Sequence, residues 1–233
     1  MHSSRVVVRL GEVCVDIDGH RALDGVDLDV RAGVLTAVVG ANGSGKSTLV
    51  SVLAGLRAPT SGAVEMRPGT AIALVPQHTA DTARLPLTVT DLVSMGRWRE
   101  RGAFRPLRRS DRERVAEAID AVGLRPYSSR PLGALSGGQR QRAFVGQALA
   151  QDADLLLLDE PTSGLDDASR RAAASALRVA ADRGAAVVVV THDLGELGEV
   201  DEVVTLAAGR IVDAPTAYDT RGRRGRNVSS VEG

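Results

Sequence analysis

Lysine is nearly absent from this 233-residue chain: of 29 lysine and arginine side chains, Lys46 alone is lysine and the other 28 are arginine. Cysteine is as rare. Cys14 stands alone, which excludes an internal disulfide, and within its apolar alternation it reads as a core residue. No apolar run approaches the roughly 20 residues of a membrane span. The purest, Leu155 to Leu158 and Ala185 to Val190, are far shorter, so a soluble or peripheral protein is expected. Acids and bases balance at 29 each, so no global field argues for nucleic acid. The N-terminus shows no charged, apolar, small-residue leader, from which a cytoplasmic address is expected. The length suits one domain, or one with a sizeable insert, and is enough to bury a core.

The one lysine stands in Gly40-Ala41-Asn42-Gly43-Ser44-Gly45-Lys46-Ser47-Thr48. Arginine would bring a broad planar fork, whereas lysine is a compact point charge on a flexible stem that fits a tight loop around phosphate oxygens. The spacing G-x-x-x-x-G-K-S is that of a phosphate-binding P-loop. In such a loop backbone N–H groups cradle the phosphates, the lysine reaches the β- and γ-phosphates, and the serine hydroxyl ligates Mg²⁺. The flanks agree: Val34 to Val39 reads as a buried strand, and Ser47 to Ala54 as a helix whose N-terminal dipole favours an anion.

Upstream, Val6 to Val8, Val13 to Ile17 and Val26 to Val30 alternate with period two, broken by Gly11, Gly19 and Gly25, and predict antiparallel strands with one wet face. Downstream come a turn at Pro59 to Gly62, a short strand at Ala63 to Glu65 and a buried strand at Ala71 to Val75. From about Thr88 to Ala150 the strand signal stops and helices are predicted, one capped at Thr90 and one capped at Ser110, with Glu113 at capping-box spacing. Arg97 to Arg114 holds eight arginines against Glu100, Asp111 and Glu113, a solvated face or a surface for a partner or anionic headgroups. Strands return at Ala153 to Leu158, Ala185 to Val190 and Val203 to Leu206 with Gly209 to Val212, around a helix from about Ala168 to Arg183. Apolar runs alternating with helices imply a parallel sheet covered on both faces.

Leu155 to Leu158 runs into Asp159 and Glu160, two acids at the end of a buried strand. There the first can hold Mg²⁺ and the second can orient or deprotonate an attacking water. Leu135-Ser136-Gly137-Gly138-Gln139 precedes a helix, and a hydroxyl with exposed N–H groups beside a positive dipole is a second phosphate site. In a chain that already has a P-loop, such a site has a purpose if it binds the nucleotide of another subunit.

Over about residues 5 to 215 the chain resembles the ATPase subunit of an ATP-binding-cassette transporter. Six motifs occur in that family's order: the P-loop at 40 to 48, Gln77, Leu135 to Gln139, Asp159 with Glu160, Ser163-Gly164-Leu165-Asp166, and Thr191-His192-Asp193. The resemblance implies an α/β P-loop fold with a mostly parallel core sheet, an N-terminal antiparallel β subdomain and a helical insert. It implies one ATPase domain over 5–219, in which 5–87 and 151–219 form the core with the β subdomain and 88–150 the helical part; a disordered tail is expected over 220–233. It implies Glu160 as general base, His192 on the γ-phosphate, Mg²⁺ at Ser47, Gln77 and Asp159, and ATP held by residues 40 to 48 together with Ser136, Gly137, Gly138, Gln139 and Asp166. The two-phosphate-site logic becomes a head-to-tail homodimer, with a membrane permease and a separate extracytoplasmic binding protein as further partners and no nucleic acid.

The chain departs from that family twice. No aromatic precedes Trp98, so adenine finds no ring near Ile17 or Asp18, and base recognition must be looser or use Ile17 or His20; weak discrimination of ATP from GTP is expected. Gln147 stands where arginine is common. Leu85 to Val89, Met95 to Trp98 and Gly102 to Leu107 are similar to ATPases of zinc and manganese uptake systems, with iron-chelate importers as the nearest alternative. A soluble cassette acting on ribosomes or DNA ends is the reading of another class, disfavoured by one cassette with only a compact insert. A catalytically dead cassette is disfavoured by intact Lys46, Asp159, Glu160 and His192.

Overall fold

The computed structural model of the chain describes residues 6–76, 85–102, 105–162 and 165–217. The N-terminal alternation folds as two long strands, β1 (Val6–Ile17) and β2 (His20–Arg31), joined by the tight turn Asp18-Gly19. Gly19 alone of the three early glycines breaks a strand. Gly11 and Gly25 lie within β1 and β2, and the β1–β2 register slips near Gly11, between Leu10 and Val13. The three short strands expected are therefore two with an irregular ladder. With β4 (Ser61–Met66) they form the antiparallel sheet β2-β1-β4.

The second sheet runs β5-β6-β7-β3-β8-β9 and comprises β3 (Leu35–Val39), β5 (Ile72–Val75), β6 (Leu155–Asp159), β7 (Ala186–Val190), β8 (Glu202–Ala207) and β9 (Arg210–Ala217). Its first five strands are parallel and β9 closes the edge antiparallel. Both faces are buried, which is why its strands read as unbroken apolar runs. Leu156, Leu158, Val187 and Val189 pack into one core with the helices, and Leu155, Leu157, Val188 and Val190 into another beneath the antiparallel sheet. Truncating any one of the four leucines costs about 2–5 kcal/mol, so the strand carrying the acids is a rigid support.

Helix α1 (Lys46–Leu53) follows the P-loop. Between β5 and β6 lie the helices α2 (Val89–Met95), α3 (Trp98–Arg101), α4 (Arg109–Ala121) and α5 (Gly137–Ala150), and no strand of either sheet among the described residues; α6 (Asp167–Asp182) lies between β6 and β7. Two caps differ from expectation. Helix α2 is capped by Thr88, not Thr90, because Thr88 and Asp91 exchange hydrogen bonds, the Asp91 N–H to the Thr88 hydroxyl at 3.2 Å and the Thr88 N–H to the Asp91 carboxylate at 2.9 Å. Helix α4 starts before Ser110. Asp111, buried against Arg97 at 3.2 Å, also accepts the Arg108 N–H at 3.0 Å and fixes the first turn there. Among the described residues no helix is long and apolar enough to cross a membrane. Gln77, Ser163, Gly164 and the tail 220–233 lie outside the described residues.

Candidate functional site

Strands β6, β7 and β3 are neighbours and parallel, so the segments leaving their C-terminal ends emerge side by side. Asp159 pairs in register with Val190, and Val190 with Val38. This is the edge at which open α/β sheets receive ligands. The loop from Gly40 leaves β3, Asp159 and Glu160 end β6, and Thr191 and His192 follow β7.

The loop is shaped by backbone that tolerates no side chain. A Cβ on Gly40 would lie 2.1 Å from the Leu206 carbonyl oxygen, and one on Gly45 2.5 Å from the Ala22 carbonyl oxygen. Gly43 and Gly45 have φ of 77° and 104°, where L-residues are strained. Inside this wrap Lys46 is 7 % exposed, and its ammonium donates to the carbonyl oxygens of Gly40 and Ala41, both at 2.8 Å. The lysine thus points back into its own loop, and among the described residues no carboxylate hydrogen-bonds it. Ser44 is buried, and its hydroxyl has no hydrogen-bond partner among the described residues. A buried, unpartnered hydroxyl costs stability unless something accepts or donates there.

Ser47 donates its hydroxyl to Asp159 Oδ2 at 2.9 Å. Two hard oxygen donors side by side, one charged, suit Mg²⁺. Glu160 has φ 48°, strained for a side chain with a Cβ, and its N–H is held by the Val190 carbonyl at 3.0 Å. Its Oε1 lies 3.9 Å from His192 Nδ1, beyond hydrogen-bond range but close enough for both to face one small group. Asn42, Gly43, Gly45, Lys46, Ser47, Thr48, Asp159 and Glu160 line a cleft of about 430 Å³, with Ala22 as an added wall. Ala22 had no sequence signal. It enters because β2 crosses the loop.

The other motif residues lie elsewhere. Ser136 caps α5, with a capping box to Gln139: the Gln139 N–H donates to the Ser136 hydroxyl at 3.1 Å and the Ser136 N–H to Gln139 Oε1 at 3.0 Å. Gly138 abuts Leu165, whose methyl would be 2.9 Å from a Cβ there. Asp166 caps α6, accepting the Ser169 N–H at 2.7 Å. The Ser169 N–H and hydroxyl hold its carboxyl below the usual range, helped by the positive charge of Arg142. None of Ser136, Gly137, Gly138, Gln139 and Asp166 lines the cleft of its own chain, and Ser136 and Gly137 are exposed.

The family model for ABC transporters matches residues 23–163. The zinc transport system ATP-binding protein TroB of Treponema pallidum is 39 % identical over 219 residues, covering 88 % of this chain and 82 % of its own. The manganese transport system ATP-binding protein MntB of Halalkalibacterium halodurans is 36 % identical, covering 91 % and 87 %. Among solved structures, the dimeric post-hydrolysis state of the cassette MJ0796 bound to ADP and Pi superposes with a TM-score of 0.75 at 25 % identity, covering 90 % of this chain and 98 % of that one.

Proposed function

The chain belongs to the ABC transporter family as an ATP-hydrolysing, ATP-binding subunit, and on that premise we propose that it energises import of zinc or manganese, with ATP hydrolysed at sites that two copies of the chain complete for each other. The observation that carries the hydrolytic part is the meeting of Lys46, Ser47, Asp159 and Glu160 in one cleft.

Lys46 turns from its loop carbonyls to the β- and γ-phosphates. Ser47 and Asp159 would hold Mg²⁺, with Gln77 as the expected third group, and the ion would supply neutralisation of the phosphate charge. Glu160 accepts the proton of a water whose oxygen attacks the γ-phosphorus as the bond to the β-phosphate oxygen breaks. Its strained backbone, pinned to Val190, aims the carboxylate into the cleft rather than along the strand. His192 steadies the γ-phosphate from beside Glu160, and Lys46 meets the charge left on ADP.

Two copies arranged head to tail supply the signature. Ser136 and Gly137, exposed at the start of α5, face the γ-phosphate held by the partner's P-loop, with Gly138, Gln139 and Asp166 as their support. ATP joins the copies and hydrolysis releases them. The segment 88–150 passes this cycle to a permease, while 5–87 and 151–219 hold nucleotide as one domain. The chain then sits peripherally on the cytoplasmic face of the membrane, and a separate extracytoplasmic protein delivers the ion.

The metal assignment is supported by two relatives named for zinc and manganese transport that match this chain along most of both lengths. Uptake of labelled zinc, manganese and chelated iron by a deletion strain and its complemented parent tests it. Loss of zinc or manganese uptake alone is expected; loss of chelated iron alone, or of none, overturns the cargo and leaves the ATPase standing.

A further inference from the structure

Glu196 lies four residues after His192, in a short turn Leu194–Glu196, and no motif contains it. Its carboxylate is 11 % exposed and reaches into the loop that follows Glu160. There the hydroxyl of Thr162, 1 % exposed, donates to Glu196 Oε2 at 2.7 Å, and Arg170 of α6 donates to Oε1 at 3.3 Å. The loop that carries it is stiff. Thr191 and Asp193 exchange hydrogen bonds at 3.1 Å, and Gly195 N–H donates to Asp193 Oδ1 at 2.8 Å.

These contacts close a ring. The chain runs from Glu160 through Pro161 to Thr162, crosses the hydrogen bond to Glu196, returns through Asp193 to His192, and closes across the 3.9 Å gap between His192 and Glu160. A backbone link from Glu160 to Val190 ties the same two segments at their start, and the Thr162–Glu196 bond ties them further along. We propose that Glu196 is a positioning residue for hydrolysis, locking the segment after the general base to the segment bearing the histidine so that both meet the same γ-phosphate. This rests on the roles of Glu160 and His192 given above. Neither Thr162 nor Glu196 lines the nucleotide cleft, so loss of their bond is expected to act on hydrolysis rather than on nucleotide binding.

The test compares Glu196→Ala, Glu196→Gln, Thr162→Val and the double variant Glu196→Ala/Thr162→Val in the assembled transporter, reading kcat, KM for ATP, affinity for a fluorescent ATP analogue and melting temperature. Glu196→Ala and Thr162→Val should each lower kcat by about tenfold with KM and affinity within about twofold, since sub-ångström misplacement acts on the chemical step. The double variant should be no worse than Glu196→Ala, because Thr162→Val breaks a bond that Glu196→Ala already removes. Glu196→Gln keeps an oxygen facing Thr162 and should recover most of kcat. A kcat for Glu196→Ala within about twofold of the parent, losses that multiply in the double variant, or a fall in affinity matching that in kcat would each overturn the proposal. Glu160→Gln separates the layers: if it stays active, the underlying site assignment fails, whereas an inactive Glu160→Gln beside a fully active Glu196→Ala removes the positioning role alone.

Discussion

Ser47 and Asp159 stand 112 positions apart in sequence and 2.9 Å apart in space, the hydroxyl of the first donating to Oδ2 of the second. Sheet order produces this: β3 and β6 flank β7, so the helix leaving one strand and the acid ending the other meet at the same edge. A hydroxyl and a carboxylate in contact would supply two of the six oxygen ligands that an octahedral Mg²⁺ takes. Asp159→Asn keeps the hydrogen bond and loses the charge. Mg²⁺-dependent ATPase should fall by about 10²–10³, the scale of losing one preorganised electrostatic group, while ATP binding measured in EDTA changes little. Equal losses with and without Mg²⁺ would place Asp159 outside the metal site.

Base recognition gives a second expectation. The hairpin turn at Asp18-Gly19 offers no ring, His20 is exposed, and Ala22 is the side chain of β2 that reaches the cleft wall. A methyl group does not read purine exocyclic groups. GTP should therefore be hydrolysed at no less than about a hundredth of the ATP rate, a gap of ~3 kcal/mol at most. Steady-state ATPase and GTPase rates at matched nucleotide concentration check it.

Two glycines separate folding from function. Gly40→Ala drives a Cβ to 2.1 Å from the Leu206 carbonyl, which is backbone and cannot swing aside, so a loss above about 2 kcal/mol in denaturant unfolding is expected. Gly137→Ala meets nothing within 4 Å. Its stability should stay within about 0.5 kcal/mol, yet ATPase should drop because in the proposed head-to-tail pair that surface would face the partner's nucleotide. A fully active Gly137→Ala enzyme would remove the signature from the site.

The sequence was most informative where chemistry forces residue type. Gly40 and Gly45 are required by close backbone approach, Lys46 by a tight phosphate loop, and Leu155 to Leu158 by burial on both faces, so P-loop, acids and core strands could be read directly. Local caps were read less well. Thr90 and Ser110 carry good capping chemistry, but the Thr88–Asp91 exchange and the buried Arg97–Asp111 pair, fixed by packing 14 residues apart, moved both helix starts. Gly11 and Gly25 looked like breaks because strand irregularity and chain reversal use the same residue. The Thr162–Glu196 bond left no trace in sequence, since a glutamate in a polar turn has no distinguishing pattern until the fold brings the threonine to it. Ala22 was silent for the same reason.

The central claim is that Lys46 of one copy and Ser136 of another serve the same ATP. Purified Lys46→Ala and Ser136→Ala chains, each inactive alone, should regain ATPase when mixed, because a mixed dimer pairs the intact P-loop of one with the intact signature of the other. Activity should rise with mixing ratio to a maximum near equimolar. A mixture as inactive as its parts, with mixed dimers present, would contradict it.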